Sequence, residues 1–479
     1  MDARGTARER WWLWLGLSTV IGLAVRLAAV FGRPNAKPHG DSYIYHNAAN
    51  LLASGHGFVS PVWYSIGEYH KQSAGFPPLF ILLVAIPSVV GLKTFFAQRV
   101  FCCFLGAAAV VVCGYTGREI AGRRVGLIAA FLLAVYPNIW MSDELALSET
   151  IVPLLVAGVL LFAYRFWKEP GVARAIWLGL SLGIAVLGRD ELTLLVLFIL
   201  VPLALLARSL DWSQRLTALG VGLLAVGLVI GPWVGFNLSR FQKPVFITTG
   251  LGVTMASADC ATTFAGPLEG YWWQPCALAY ARSPSVNTNA DESVEGAELQ
   301  HLTFEYLQHH ENRLVPVASA KVGRAFGFFH PMEQIRMDSY VEMRPYRWAL
   351  TGLFMYYVLL ALSIGGTVVL RRRRIPSFPL WVIGLNVVCS VVLAFGNTRY
   401  RTGFEVSLVL LAAVQLEWFW ARVGSSRRSA RPSEDRPSSD PLVAPDAPDP
   451  LVADGSTIAA APSGMQLRRL LPNTEGWNY

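Results

Sequence analysis

About ten apolar stretches, each close to the width of a bilayer's hydrocarbon core, run through this chain with short polar segments between most of them. Lipid offers the backbone no hydrogen-bond partners, so such runs cross it only as helices or closed barrels, and these are too long for barrel strands. The expectation is therefore an all-α polytopic membrane protein. The composition agrees: 53% hydrophobic and 15% charged among 479 residues is too few charges for a soluble globule, in which roughly a quarter of residues are charged. The formal charge of +8 does not signal nucleic acid, because the basic residues fall in short clusters between the apolar runs.

Those clusters are Arg4, Arg8 and Arg10; Arg118, Arg123 and Arg124; Arg165, Lys168 and Arg174; Arg208 and Arg215; Arg371 to Arg374; and Arg422, Arg427 and Arg428. Placing them in the cytoplasm, where loops carry excess Lys and Arg, puts both termini inside. The expected spans are roughly 11–31, 95–115, 125–141, 149–165, 173–188, 192–207, 216–236, 346–370, 378–395 and 404–421. The first is too long for a removable signal peptide and lacks its cleavage site, so it reads as a retained helix. Parity excludes Phe76 to Leu92 as a further span, and the stretch reads as an interfacial or re-entrant helix that starts at Pro77-Pro78.

Two outer loops, about 32–94 and 237–345, hold all eight His residues. Residues 1–421 form the expected membrane domain, and the Ser-, Pro- and Asp-rich residues 422–479 read as a disordered cytoplasmic tail. Cys102, Cys103, Cys113 and Cys389 fall in spans, whereas Cys260 and Cys276 share the large outer loop. There they either pair in an oxidising exterior or remain two thiols.

Chemistry concentrates at a few outer positions. Gly40-Asp41-Ser42-Tyr43 opens a segment in which Ile44, Ala48, Leu51 and Leu52 recur at helical spacing until Gly55. Asp41 reads as the N-cap of this surface helix; it is also the candidate catalytic carboxylate, either deprotonating an acceptor hydroxyl or binding a divalent cation such as Mg2+ or Mn2+. Arg189-Asp190-Glu191 joins two apolar runs of only some sixteen residues, about 24 Å each, so the connection should be drawn below the membrane surface. Charges there either pair with one another or line a wet cavity. Gly396 to Arg401 places Arg399 and Arg401 on the outer side against the orientation rule. Guanidinium forks suit phosphate oxygens, so Arg189, Arg399 and Arg401 are candidate phosphate ligands, with Lys71 a weaker one; the alternative for the last pair of Arg residues is headgroup snorkelling. Asp143, Glu144 and Glu149 at the outer end of the third span, together with Glu191, are candidates for an acceptor or metal site.

These pieces resemble the GT-C class of membrane glycosyltransferases, on the branch of dolichyl-phosphate-mannose protein mannosyltransferases and bacterial lipid A aminoarabinose transferases. The resemblance spans about residues 11–421 and rests on Arg26-Leu27, Gly40-Asp41 with Tyr43 and Ala48, Phe76-Pro77-Pro78-Leu79, Ser148-Glu149, Leu187-Gly188-Arg189, Gly231-Pro232-Trp233 with Asn237, Pro244-Val245, and Arg399-Tyr400-Arg401. It implies a GT-C-like bundle with juxtamembrane helices in the first outer loop. It further implies inverting transfer of a hexosyl or pentosyl group from a polyprenyl-phosphate sugar to a lipid, glycan or protein acceptor on the outer face of the plasma membrane, with Asp41 at the active site and Arg residues on the departing phosphate. Many relatives carry adjacent or paired acids where this chain has Asp41-Ser42. The Arg-rich, Lys-poor composition resembles an actinobacterial member. The main rival is a secondary transporter or lipid-linked substrate carrier; against it, no repeat relates the two halves, and the ionisable groups gather at the outer loops rather than at mid-bilayer.

Overall fold

The computed structural model describes residues 3–67 and 69–429. In chain order the helices are α1 (Ala3–Gly32), α2 (Asp41–Ala53), α3 (Pro61–Gly67), α4 (Pro78–Val89), α5 (Phe95–Ala121), α6 (Arg123–Val135), α7 (Pro137–Leu145), α8 (Val152–Lys168), α9 (Val172–Gly188), α10 (Val201–Leu205) and α11 (Trp212–Arg240). Then follow α12 (Leu251–Ala258), α13 (Ala261–Phe264), α14 (Gln274–Ala281), α15 (Glu292–His309), α16 (Glu311–Ala325), α17 (Pro331–Val341), α18 (Tyr346–Arg372), α19 (Phe378–Leu393) and α20 (Thr402–Ser429). The chain divides into residues 1–426 and 427–479; only 427–429 of the second unit are described, so the expected disordered tail lies almost wholly outside the described residues.

Among the described residues six helices are long and apolar enough to cross a membrane, or seven if one bent pair counts as a single span. The ten apolar runs are all helical, but unequal. Residues 172–188 and 378–393 form shorter apolar helices. The expected span 192–207 is not one α-helix: a 3-10 turn (Asp190–Thr193) and a π-helical turn (Val196–Leu200) precede the five-residue α10. Pro202 lacks the N–H that would reach the carbonyl of Phe198, and the irregular turn falls where that bond is missing. α6 and α7 replace the expected span 125–141, meeting at 51°. Tyr136 is extended there because the ring of Pro137 disfavours the helical conformation of the residue before it. α4 has twelve residues, about 18 Å, and is too short to cross, as expected for 76–92.

Packing sorts the spans. Burial within the protein is 72% over the apolar window of 148–168 and 67% over that of 398–422, against 28% for 10–32 and 22% for 212–240, so α8 and α20 are central and α1 and α11 peripheral. Close helix approach relies on small residues, as membrane bundles require. A Cβ on Gly179 would stand 2.2 Å from the Gly222 carbonyl, which sets how closely α9 and α11 pack. The site end of the bundle bears α2 to α4 and the segment 241–345, in which α12 to α17 pack together and a disulfide joins Cys260 to Cys276.

Candidate active site

The first residue of α2 supplies the entrance carboxylate. Gly40, with φ 54°, takes the N-cap position, and Asp41 makes no capping hydrogen bond. This corrects the expected N-cap role: freed from the helix end, the carboxylate of Asp41 turns to Arg399, with Oδ2 2.7 Å from Nη1. A polar cluster fixes α2 behind it. His46 Nδ1 lies 2.7 Å from Gln98 Oε1, Gln98 Nε2 donates to Ser88 Oγ at 2.9 Å, and Ser88 Oγ donates to Asn50 Oδ1 at 2.7 Å, tying α2 to α4 and α5.

Arg399 sits in the 3-10 turn Thr398–Arg401 before α20, and its backbone N–H donates to Asn397 Oδ1. The segment 241–345 steadies this turn, because the Gly396 N–H donates to the Gly270 carbonyl at 2.8 Å, inside the disulfide-closed loop. Arg399 reaches Glu149 with Nε at 2.7 Å and Nη2 at 3.1 Å. Glu149, at the outer end of α8, also accepts from Arg189 Nη1 at 2.8 Å. Arg189 in turn donates from Nε to Glu191 at 2.7 Å and lies over the Tyr400 ring. Asp41, Arg399, Glu149, Arg189 and Glu191 thus form one continuous chain of ion pairs. Burying it costs desolvation that only such mutual pairing offsets.

This chain faces a cavity of about 720 Å³ lined by Asp41, Tyr45, Glu144, Arg189, Asp190, Glu191, Glu292, Glu342, Arg399 and Tyr400, among others. That is ample for a sugar and a phosphate, within the usual range of ligand pockets. A second hollow, lined by 33–39 and Met343, shares Arg33, Ala36, Lys37, His39 and Met343 with it.

Other candidates fall elsewhere. Arg401 does not line the cavity; it is buried, donates to Glu405 at 2.7 Å and to the Ala325 carbonyl, and covers the Tyr356 ring. With three residues per 3-10 turn, side chains two positions apart point in different directions, so Arg399 and Arg401 part company. Lys71 stands behind the wall, 2.8 Å from Glu295. Asp143 is not at the cavity either: the bend at Pro137 carries it into the bundle, 2.6 Å from buried Arg26, and Gly106 leaves the room for that pair. Glu144 lines the cavity but is held by Arg33 at 2.5 Å and Arg99 at 3.5 Å.

Glu342, just past α17, was not among the expected residues. Its Oε1 accepts from Asn397 Nδ2 at 2.9 Å and stands 3.7 Å from Arg399 Nη1, while Oε2 is 3.0 Å from Arg344 Nε. Burial pushes its carboxyl up to about 7 against the pull of Arg344 and Arg399, with Asp338 and Glu149 adding to the rise. Burial also raises Glu292, although Thr249 Oγ1 and the Ala74 N–H donate to it.

Holding a divalent cation is one of the two roles open to Asp41. Among the described residues no three His, Cys, Asp or Glu side chains converge, and Asp41 and Glu149 are already engaged by guanidinium groups.

The bundle has the fold of GT-C-class membrane glycosyltransferases. It is similar to the Archaeoglobus fulgidus oligosaccharyltransferase AglB solved with an inhibitory peptide and a dolichol-phosphate, at 13% identity and a TM-score of 0.52 over 90% of this chain and 53% of that one. It is also similar to the oligosaccharyltransferase of the same organism solved with Zn and sulfate, at 12% identity and 0.51 over 86% and 50%. The chain spans about half the length of these proteins. ArnT from Cupriavidus metallidurans, solved with undecaprenyl phosphate, is 15% identical with a TM-score of 0.40 over 90% and 82%. Residues 76–234 match the dolichyl-phosphate-mannose-protein mannosyltransferase family. No curated protein matches the chain in sequence.

Proposed function

We propose that the chain is a glycosyltransferase that moves a sugar from a polyprenyl-phosphate donor to an acceptor hydroxyl on a lipid, glycan or protein. The observation that carries this reading is the meeting of the Asp41 carboxylate with Arg399, and through Glu149 with Arg189, at the wall of one cavity. The donor phosphate takes the cavity side of Arg399 and Arg189, and in doing so frees Asp41 from its ion pair. Asp41 then accepts the acceptor's hydroxyl proton as the acceptor oxygen bonds to the anomeric carbon. The bond from that carbon to the phosphate oxygen breaks, its electron pair leaves with the polyprenyl phosphate, and a single displacement inverts the centre. General-base help contributes about 10²- to 10⁴-fold, and a fixed donor on the developing phosphate charge about 10²- to 10³-fold.

Orientation follows from charge. The helix ends at 118–124, 165–174 and 371–374 lie at the end of the bundle away from the cavity, so the positive-inside rule turns the cavity to the extracytoplasmic side of the plasma membrane, with both termini in the cytoplasm. Residues 1–421 form the catalytic membrane domain in this reading.

The test is turnover of a panel of radiolabelled polyprenyl-phosphate sugars by the purified protein with host membranes, for wild type and Asp41→Asn. Transfer that the variant loses while keeping its abundance and unfolding temperature supports the reading. No turnover of any lipid-linked donor favours a carrier.

A further inference from the structure

The cavity has an awkward charge for its proposed ligand. Among the described residues seven carboxylates line it, against four Lys and Arg. An anionic phosphate enters such a place only if negative charge is removed as it arrives. Most of the acids are already committed to cations of their own, as Glu144 is to Arg33 and Glu191 is to Arg189. Glu342 has Arg344 at 3.0 Å but also shares Arg399 Nη1 with Asp41, whose Oδ2 is 2.7 Å from that nitrogen and Glu342 Oε1 3.7 Å.

We propose that Glu342 takes up a proton when the donor phosphate binds, so that it stops competing for Arg399 and offers an O–H to the phosphate. The inference rests on the donor reading above. Glu342 acts twice in this scheme, by releasing the guanidinium and by meeting the phosphate itself at the cavity wall.

The surroundings suit the exchange. Arg344 and Arg399 favour the carboxylate, whereas Asp338 and Glu149 oppose it, and Glu342 in turn raises Tyr271. Both oxygens of neighbouring Asp338 already accept, Oδ2 from Thr398 Oγ1 and Oδ1 from Gln334 Nε2, each at 2.7 Å. The phosphate would bring one further negative charge to the nitrogen that Asp41 vacates. Burial already holds the Glu342 carboxyl near 7, so protonating it beside Arg399 costs little. A protonated carboxyl also becomes a hydrogen-bond donor, which a carboxylate is not.

The test is binding of a polyprenyl phosphodiester to the purified protein in nanodiscs between pH 6 and 9, for wild type, Glu342→Gln, Glu342→Asp and Glu191→Gln. A phosphodiester keeps a single charge over this range, so the ligand contributes no titration of its own. Uptake of one proton predicts wild-type affinity falling about tenfold per pH unit above 7, until the bound-state value is reached. Glu342→Gln should bind with a flat profile, while Glu342→Asp and Glu191→Gln keep the slope. Titration calorimetry of wild type in two buffers of different ionisation enthalpy counts the proton directly, whatever the folding of the variants. A flat wild-type profile, a slope that survives Glu342→Gln, or one abolished by Glu191→Gln overturns the inference while leaving donor binding intact. No binding of the phosphodiester at any pH overturns the donor reading and the inference with it.

Discussion

Glu149 holds two guanidinium groups at once, and removing its charge tests whether that junction is as tight as the geometry says. Its side chain is 1% exposed and takes three hydrogen bonds, two from Arg399 and one from Arg189. Glu149→Gln leaves one oxygen acceptor where two cations converge, and turns an N–H₂ group toward one of them. Breaking a buried pair from one side costs about 3–5 kcal/mol. Arg399 retains Asp41 and Arg189 retains Glu191, so the low end, about 3 kcal/mol, is expected here. Arg399→Met takes one of the two cations from Glu149 and leaves it Arg189 alone. The double variant removes the mutual contact once rather than twice, so it should cost less than the sum of the single changes, with a coupling of about 1.5–3 kcal/mol. Equilibrium unfolding in mixed micelles with a denaturing detergent, followed by tryptophan fluorescence, measures all four proteins. Additivity within about 0.5 kcal/mol would refute the shared junction.

Three further outcomes follow from other contacts. A Cβ on Gly106 would meet Asp143 Oδ2 at 2.1 Å and Arg26 Nε at 2.5 Å, so Gly106→Ala should cost about 3–5 kcal/mol, whereas Gly16→Ala, with nothing within 4 Å, should stay within about 1 kcal/mol of wild type in the same unfolding assay. Replacing Cys260 and Cys276 by Ser should cost about 3 kcal/mol through the entropy of the opened loop, and thiol alkylation before and after reduction should count two extra reactive groups in wild type alone. The Glu342 carboxyl is raised from its ordinary 4.5 to about 7 in the fold, so its contribution to stability is fully present below 4.5 and lost as pH rises through 7. Wild type should therefore lose more stability between pH 5 and 8 than Glu342→Gln, and equal losses would remove Glu342 from the account.

The sequence makes the fold class legible because lipid tolerates so few backbone arrangements, and ten apolar runs leave little choice. Asp41 stands out as an acid at the mouth of a short helix, and Arg399 as a cation on the side where cations are scarce. The same charge argument picks Arg401 wrongly, since it carries no information about which way a 3-10 turn points its side chains. Asp143 is misread for a different reason: it counts as a loop acid only if the third span is straight, and Pro137 bends it. Glu342 leaves no local mark at all. It lies among ordinary polar residues, and only the packing of α17 against the turn at 398–401 brings it to Arg399.

Cryo-electron microscopy of the protein with polyprenyl phosphate in nanodiscs tests the central arrangement most directly. The account predicts phosphate density in the 720 Å³ cavity within hydrogen-bond reach of Arg399 or Arg189, with the Asp41 carboxylate released from Arg399. Phosphate bound elsewhere, with the Asp41 to Arg399 pair intact, would contradict it.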